Sequence, residues 1–163
     1  MPSSSPHIIL IDGRSGAGKT SLSLTMAAAL GATTVHLDDV YPGWGGLVDG
    51  REAVIGSVVR NVVAGRPGRI RRWDWVNDRV GIDVIVPVAD VLIVEGCGIS
   101  TPESRALADV VLWVECDESV RVERLAQRDG ETFDRYRDVW DAQVAQHISD
   151  NDPIETATLT VNS

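Results

Sequence analysis

Gly13-Arg14-Ser15-Gly16-Ala17-Gly18-Lys19-Thr20 matches the phosphate-binding pattern G-x-x-x-x-G-K-[ST]. The glycines let the backbone curl so that successive N–H groups point toward the phosphates of a nucleotide. Lys19 can then reach the β- and γ-phosphates, and the hydroxyl of Thr20 can bind Mg²⁺. The stretch therefore predicts a nucleoside triphosphate site, and its flanks decide whether the match is more than chance.

The flanks supply the structural context that such a loop needs. Residues 7–12 form an apolar run suited to a buried strand, and residues 21–30 have the composition of a helix that ends at Gly31. A strand, a Gly-rich loop and a helix N-terminus place the positive end of a helix dipole beneath a phosphate. We therefore predict a P-loop that binds a nucleoside triphosphate. Its expected contact residues are Gly13, Arg14, Ser15, Gly16, Ala17, Gly18, Lys19, Thr20 and Ser21.

Composition and charge favour a single acidic domain over residues 1–163. The chain is 44% hydrophobic and 24% charged, which is ordinary for a globular protein, and its formal net charge is −9. An acidic surface argues against nucleic-acid and anionic-membrane partners. Two cysteines without metal-type spacing indicate reduced thiols, and residues 1–6 are expected to be a flexible tail rather than a signal peptide. We expect a cytoplasmic protein.

Strand and helix signals alternate along the chain, which predicts an α/β fold with a parallel sheet. Strands are expected at residues 33–37, 89–96, 108–114 and 157–161. Helices are expected at residues 52–64 and 119–128, and a last helix carries Tyr136, Trp140, Val144 and Ile148 at every fourth position. Residues 69–86 are expected to be a small excursion between two core strands.

Acidic residues follow several of the predicted strands directly. Asp38 and Asp39 end one strand, Glu95 ends another, and the P-loop itself follows Asp12. In a parallel α/β sheet the strand ends meet at one edge, where ligands bind. Phosphoryl transfer needs a phosphate-binding loop, Mg²⁺ ligands and a group that accepts a proton from the acceptor hydroxyl. The sequence therefore indicates a kinase, although the residues alone leave open whether Asp38 or Asp39 is the base.

In motif order the chain resembles the uridine-kinase-like branch of the P-loop kinases, which also includes nicotinamide-riboside kinase, pantothenate kinase and phosphoribulokinase. The P-loop glycines, Lys19 and Thr20 match that branch, and 38–41 stands where it has Asp-x-Phe-Tyr. Trp73-Asp74-Trp75 is similar to its aromatic-Asp-aromatic segment, and Glu95-Gly96 to the end of its next core strand. Its Arg-rich helix and lid are matched by Arg121, Arg124 and Arg128-Asp129.

The resemblance implies a fold and a set of roles. The fold would be a three-layer P-loop NTPase with five parallel strands, flanking helices and a short lid at about 129–135. Lys19, Asp38, Arg124 and Arg128 would be catalytic, with Asp38 as the general base. Thr20 and Glu95 would hold Mg²⁺. The acceptor would contact Asp38, Tyr41, Trp73, Asp74, Arg79 and Glu95.

The chain departs from that branch where the acceptor binds. Val40 replaces the usual Phe, residues 42–46 form a Gly-rich loop, and the lid lacks Arg-Gly-Arg. The favoured function is transfer of the γ-phosphate of ATP to a hydroxyl of a nucleoside-like metabolite, by a monomer or homodimer. One alternative is a gluconate- or shikimate-type kinase, for which Arg69, Arg71 and Arg72 could bind a carboxylate. The other is a non-catalytic nucleotide-binding regulatory protein.

Overall fold

The computed structural model describes residues 5–163, so part of the predicted tail at 1–6 lies outside the described residues. Seven strands and five α-helices alternate along the chain. In order they are β1 (His7–Gly13), α1 (Lys19–Leu30), β2 (Thr33–His36), α2 (Leu47–Val54), α3 (Arg60–Val63), β3 (Gly68–Asp74), β4 (Arg79–Val86), β5 (Val91–Glu95), α4 (Pro102–Arg105), β6 (Val110–Glu115), α5 (Glu118–Asn151) and β7 (Leu159–Asn162).

Five of the strands form one parallel sheet in the order β2-β5-β1-β6-β7, as predicted. The chain leaves β1 toward β2 and β5 on one side and returns to β6 and β7 on the other. The crevice at the carboxyl end of β1 is thus a topological switch point, where open α/β sheets bind ligands. Both Ile11 of β1 and His36 of β2 pair with Glu95 of β5, so three strand ends meet there.

Helices cover both faces of the sheet because the central strands are apolar on both faces. Ile8 and Leu10 of β1 pack into a core with the α2–α3 segment and α5, whereas Ile9 and Ile11 pack into a second core beneath α1. This alternation follows from the two-residue period of a strand. It produces the three layers that the sequence predicts.

The helical segment predicted at 52–64 begins earlier, at Leu47, and is not uniform. A π-helical stretch, Ile55–Val59, separates α2 from α3. Val54, Ile55, Val58, Val59 and Val62 are buried there, which confirms the predicted apolar stripe. The π turn adds a residue to the helix exactly where β-branched side chains crowd one face.

The predicted excursion at 69–86 is a β-hairpin. β3 and β4 pair antiparallel, with an irregularity between Arg71 and Trp73. The base of the hairpin packs closely on the π-helical stretch, since a Cβ added at Gly68 would lie 2.8 Å from the Cα of Val58. Its far end projects from the sheet, and Val76 at the turn is almost fully exposed.

Helix α5 spans 34 residues and is interrupted once, at Gly130. That residue has φ 53° and ψ −136°, a conformation open essentially to glycine alone. The sequence predicts a helix break at 129–131, which is confirmed, but the predicted lid segment at 129–135 is helical on both sides of the break. Across residues 5–163, α5 included, no helix is long and apolar enough to cross a membrane.

Candidate active site

The P-loop leaves the carboxyl end of β1 in a tightly curled path. Gly13, Gly16 and Gly18 all have positive φ angles, at 153°, 79° and 99°. A Cβ at Gly13 would lie 2.6 Å from the carbonyl oxygen of Val114, and one at Gly16 would lie 2.8 Å from that of Arg121. These positions therefore require glycine for both backbone and steric reasons. Gly18 is the N-cap of α1 and offers no side chain, so the helix N-terminus is open to an anion.

Helix α5 holds the P-loop from outside. Arg121, which is buried, donates to the carbonyl of Ser15 at 3.0 Å, and Arg124 donates to the carbonyl of Gly16 at 3.3 Å. The indole N–H of Trp140 donates to Ser15 Oγ at 2.7 Å. These bonds use carbonyl and hydroxyl oxygens and therefore do not occupy the N–H groups of the loop.

Lys19 lies at the floor of the site and is nearly buried. Its Nζ donates to the carbonyl of Arg14 at 2.9 Å and lies 3.5 Å from Cys97 Sγ. Burial by itself would lower the pKa of Lys19, but the negative potential of Cys97, Glu95 and Asp38 outweighs it, so the pKa is raised. A buried cation surrounded by acidic groups is well suited to bind a polyphosphate.

Thr20 and Glu95 provide an oxygen pair next to Lys19. The hydroxyl of Thr20 donates to Glu95 Oε1 at 3.0 Å, and His36 Nδ1 lies 2.6 Å from the same oxygen. The hydrogen bond with Glu95 is the main reason why the pKa of His36 is raised. Hard oxygen ligands suit Mg²⁺, which usually takes one or two protein oxygens and completes its shell with phosphates and water. Thr20 and Glu95 fit that donor set, and residues 5–163 contain no cluster of three or more acidic, His or Cys ligands.

A single cavity of about 1140 Å³ joins these groups to Asp38. The phosphate end of the cavity is lined by Ser15, Gly16, Gly18, Lys19, Thr20, Ser21 and Glu95. The acceptor end is lined by Asp38, Asp39, Tyr41, Trp44, Trp75, Arg128 and Trp140. The volume accommodates a nucleotide together with a second small molecule.

Asp38 faces the cavity from the 3₁₀ turn Leu37–Asp39 that follows β2. Its side chain is exposed at the cavity, whose walls form a partial enclosure around it. The enclosure, together with the charge of Glu95, raises the pKa of Asp38, while Lys19 and Arg128 act against that change. Asp39 instead forms an ion pair with Arg72 at 3.1 Å. Of the two adjacent carboxylates, Asp38 is therefore the one without an ion-pair partner in the described part of the chain.

Neither a protein-family model nor a curated protein matches this sequence. Solved structures do match it. A "possible uridine kinase" from Bacillus stearothermophilus has a TM-score of 0.66 at 19% identity, over 98% of this chain and 90% of that one. A candidate fructose transport system kinase from Silicibacter sp. TM1040 has a TM-score of 0.59 at 23% identity, over 99% and 92%. Shikimate kinase from Bacteroides thetaiotaomicron has a TM-score of 0.52 at 17% identity, over 96% and 85%.

The chain has the fold of the P-loop kinases. The similarity extends over nearly the full length of each structure. It confirms the predicted three-layer architecture and the expectation that the fold is that of the P-loop kinases.

Within this P-loop kinase fold, the two predicted lid arginines lie along the cavity. Arg124 contacts the P-loop and Ser163 Oγ at 3.2 Å. Arg128 forms an ion pair with Asp129 at 2.7 Å, and this hydrogen bond is the main reason why its pKa is raised. Both guanidinium groups line the cavity that also contains the P-loop residues.

The acceptor end of the cavity is aromatic. Trp44 stacks on Tyr136 with ring centroids 5.4 Å apart and an interplanar angle of 9°. It also meets Trp75 and Trp140 edge to face, at 5.3 and 6.1 Å. Tyr41, which is buried, packs edge to face on Trp140 and donates its hydroxyl to the carbonyl of Cys97 at 2.7 Å. Flat faces of this kind favour a ligand that carries a ring.

Three of the predicted acceptor residues are not brought to this cavity. Asp74 accepts hydrogen bonds from the backbone and side chain of Asn77, at 3.1 and 2.7 Å, and so closes the hairpin turn. Arg79 lies 3.7 Å from Asp74 on the same hairpin. Trp73 lies on β3 and, like the other two, does not line the cavity. Among the residues of this segment, the structure brings Trp75 to the cavity instead.

Three predicted P-loop contacts also differ in position from the rest. The Arg14 side chain lines a second cavity of about 850 Å³, on the side of Glu115 and Glu118. Gly13 and Ala17 are packed into the protein at the base of the loop. These residues shape the loop, and the other six line the site.

Asp12 and His147 form a buried network beneath the P-loop that the sequence does not reveal. Asp12 accepts from the N–H groups of Gly13, Gly98 and Ser100 at 2.7 to 2.9 Å. His147 Nε2 lies 2.9 Å from Asp12, and its Nδ1 lies 3.1 Å from the amide nitrogen of Asn151. Because that amide donates, Nδ1 accepts and Nε2–H donates to Asp12. The network ties α5 to the strand end that carries the P-loop.

Trp140 is the clearest residue that sequence reasoning missed. Its position in the apolar stripe of α5 predicts a core residue, and it is indeed buried. However, its indole N–H binds Ser15 of the P-loop, and its ring lines the cavity. The available signal is the Trp itself in an apolar stripe, because a buried indole N–H needs an acceptor.

Proposed function

We propose that this chain is an ATP-dependent phosphotransferase that moves the γ-phosphate to a hydroxyl of a small metabolite. One observation carries the proposal: a single cavity holds Lys19 and the Thr20–Glu95 pair at one end and the unpaired Asp38 at the other. Those are the parts that phosphoryl transfer requires. The fold of the P-loop kinases supports it.

At the phosphate end, catalysis is electrostatic. The N–H groups at the start of α1 and the ammonium of Lys19 bind the phosphate oxygens, and Arg124 and Arg128 face the charge that develops during transfer. Thr20 and Glu95 would hold Mg²⁺, which neutralises charge on the β- and γ-phosphates when it is bound. Helix α5 keeps these groups in place through Arg121 and Trp140.

At the acceptor end, Asp38 orients the acceptor hydroxyl and takes its proton. The enclosure that raises the pKa of Asp38 makes it a better proton acceptor than a fully solvated carboxylate. A loose phosphoryl transition state demands little proton abstraction, so a modest change is sufficient. Lys19 and Arg128 oppose the rise in the pKa of Asp38 and favour its ionised form.

The acceptor is proposed to be a nucleoside or nucleoside-like molecule. Trp44, which is half-buried, and Trp75, which is exposed, line the cavity together with Asp38. Accessible aromatic side chains beside a carboxylate suit an acceptor with a flat ring and a hydroxyl. One structural neighbour is described as a possible uridine kinase. The net charge of −9 agrees with a small-molecule substrate rather than a nucleic acid or a membrane, and we propose a cytoplasmic monomer or homodimer.

The gluconate- or shikimate-type alternative finds less support in the geometry, although one neighbour is a shikimate kinase. Arg69 and Arg71 both pair with Asp83 at 3.0 Å, on the hairpin and away from the cavity. Arg72 pairs with Asp39. The three arginines that could have bound an acceptor carboxylate therefore already have carboxylate partners.

The test measures acceptor-stimulated ADP release with Mg-ATP and a panel of nucleosides, sugars, hydroxy acids and vitamin precursors. We expect stimulation by ring-bearing acceptors and a loss of about 10²-fold or more in kcat for Asp38→Asn. Asp39→Asn is the matched control and should lose less than about tenfold, since Asp39 is already paired. A larger loss of kcat for Asp39→Asn than for Asp38→Asn would identify Asp39 as the base instead.

Nucleotide binding can be tested without an acceptor. Lys19 is the only lysine in the sequence, so an acyl-phosphate derivative of ATP has one lysine to acylate. We expect a single modified peptide containing Lys19, and protection by excess ATP, read by mass spectrometry. Labelling without any acceptor-stimulated turnover would support the non-catalytic regulatory alternative.

A further inference from the structure

The β3–β4 hairpin contacts the turn that carries Asp38 at two points. The indole Nε1–H of Trp75 donates to the backbone carbonyl of Asp38 at 2.8 Å. Arg72 pairs with the carboxylate of Asp39 at 3.1 Å. These contacts join segments that are more than 30 residues apart in the sequence, and both end on the turn that presents the base.

The turn itself does not fix the carbonyl of Asp38. Its internal hydrogen bonds, from the N–H groups of Val40 and Tyr41 at 2.8 and 3.1 Å, both end on the carbonyl of Leu37. The Trp75 indole therefore supplies a partner for a carbonyl that the turn's own hydrogen bonds do not use. Because a carbonyl and its side chain share one Cα, holding the carbonyl also restricts the direction of the carboxylate.

Trp75 has a second role, because its ring lines the acceptor end of the cavity and meets Trp44 edge to face. An acceptor that packs on this ring would press on the same residue that holds Asp38. Trp73, two positions earlier, provides the contrast within one hairpin. It does not line the cavity, and its Nε1 finds no hydrogen-bond partner in the part of the chain that the structure describes.

We propose that Trp75 is a positioning residue that couples acceptor recognition to the orientation of Asp38, with Arg72 as a second point of attachment. This inference rests on the proposed function, since it assigns Asp38 as the base. It explains why the hairpin extends toward the P-loop although its predicted acceptor residues Trp73, Asp74 and Arg79 stay outside the cavity. The part of the hairpin that contributes to acceptor specificity would then be its turn, where Trp75 lies.

The kinetic test compares Trp75→Phe with Trp73→Phe. Trp75→Phe keeps an aromatic wall but removes the N–H, so we expect kcat to fall about ten- to a hundredfold, with little change in the KM of the acceptor or of ATP. Trp75→Leu should also raise the acceptor KM because the aromatic face is lost. Trp73→Phe removes an N–H without a partner, so its kcat should stay within about twofold. Equal kcat values for Trp75→Phe and Trp73→Phe would overturn the proposal.

Arg72→Gln tests the second attachment point without altering a wall of the cavity. We expect a smaller fall in kcat, of about two- to tenfold, and again no change in the KM of ATP. Arg69→Gln is its matched control, because Arg69 pairs only with Asp83 on the hairpin. If Arg69→Gln lowers kcat as much as Arg72→Gln does, the hairpin acts through its general stability and not through the Asp38 turn.

A spectroscopic measurement separates this inference from the proposed function. In ¹H–¹⁵N spectra, Trp75→Phe should shift the backbone amide signals of Asp38, Asp39 and Val40 more than Trp73→Phe does, with or without an active enzyme. Shifts at the turn combined with no acceptor-stimulated turnover in the wild type would refute the kinase proposal and keep the attachment. Turnover in the wild type with no selective shift at the turn would refute the attachment and keep the kinase.

Discussion

The two ends of the cavity are built in different ways. The phosphate end comes almost entirely from one contiguous stretch, residues 13–21, whose glycines and helix N-terminus present backbone N–H groups. The acceptor end is assembled from side chains of separate segments, with Asp38 after β2, Trp44 before α2, Trp75 on the hairpin and Arg128 and Trp140 on α5.

This difference separates a general function from a specific one. A phosphate group is bound by local backbone geometry, which any chain with the right glycine spacing can reproduce. An acceptor is recognised by side chains whose distances depend on how the hairpin, the 42–46 loop and α5 pack together. Changes at the phosphate end should therefore affect turnover of every acceptor, whereas changes in the aromatic walls of the acceptor end should affect only some.

The largest expected effect at the phosphate end is that of Lys19→Ala. The variant should lose about 10³-fold or more in turnover with every acceptor, near 4 kcal/mol of transition-state stabilisation, because a buried cation is removed from the polyphosphate. ADP release measures this loss. Circular dichroism should show an intact fold. Retained activity, or a loss restricted to some acceptors, would contradict both the phosphate-site assignment and the contrast between the two ends.

The next largest effect is expected for the buried network of Asp12 and His147 below the P-loop, and it is an effect on stability. Asp12→Asn should lower the free energy of unfolding by about 2–3 kcal/mol, because an amide cannot accept all four hydrogen bonds that the carboxylate does. Asp109→Asn is the matched control. The Asp109 carboxylate accepts a hydrogen bond from the N–H of Ile8, at the opposite end of β1. Asp109→Asn should therefore lower the free energy of unfolding by no more than about 1 kcal/mol.

The pH dependence of stability provides a second test of the role of Asp12. Burial would raise the pKa of Asp12, but its hydrogen bonds from His147, Ser100 and Gly98 outweigh burial, so the pKa is lowered from 3.8. A lowered folded pKa means that the stabilisation is present above about pH 4 and is lost as the pH falls through the folded value. The difference in free energy of unfolding between wild type and Asp12→Asn, measured by denaturant unfolding, should therefore shrink only below about pH 4. A difference that grows on acidification would contradict the assignment.

The difference between local patterns and contacts between distant segments also determines which parts of the fold the sequence predicts. Periodicity predicts the five parallel strands and most of the helices because these patterns are local. Glycine spacing predicts the P-loop for the same reason. The hairpin is not predicted, because most of β4 is exposed and only Val84 and Val86, near its end, pack on the core. The π-helical stretch is not predicted either, since one extra residue in a turn leaves no pattern in composition.

At the site, the sequence identifies residue types better than positions. Asp38, Tyr41, Glu95, Arg124 and Arg128 lie at the cavity, where strand ends and the motif order place them. Trp73 and Asp74 lie outside it, at the end of β3, whereas Trp75 at the start of the turn lines it. Contacts between distant segments, such as Trp140 with Ser15 or Trp75 with Asp38, depend on packing that no short motif encodes.

The smallest expected effects distinguish two reasons why a position requires glycine, namely its backbone conformation and the lack of space for a Cβ atom. Gly16 and Gly31 both have positive φ, at 79° and 65°, but a Cβ at Gly16 would meet the carbonyl of Arg121 at 2.8 Å and one at Gly31 would meet nothing within 4 Å. Gly31→Ala should cost about 1 kcal/mol of stability for its backbone conformation alone. Gly16→Ala should cost about 2 kcal/mol and also weaken ATP binding, because the loop must move away from α5. Thermal unfolding with and without ATP measures both quantities, and equal costs with unchanged ATP affinity would mean that α5 does not hold the loop in its binding conformation.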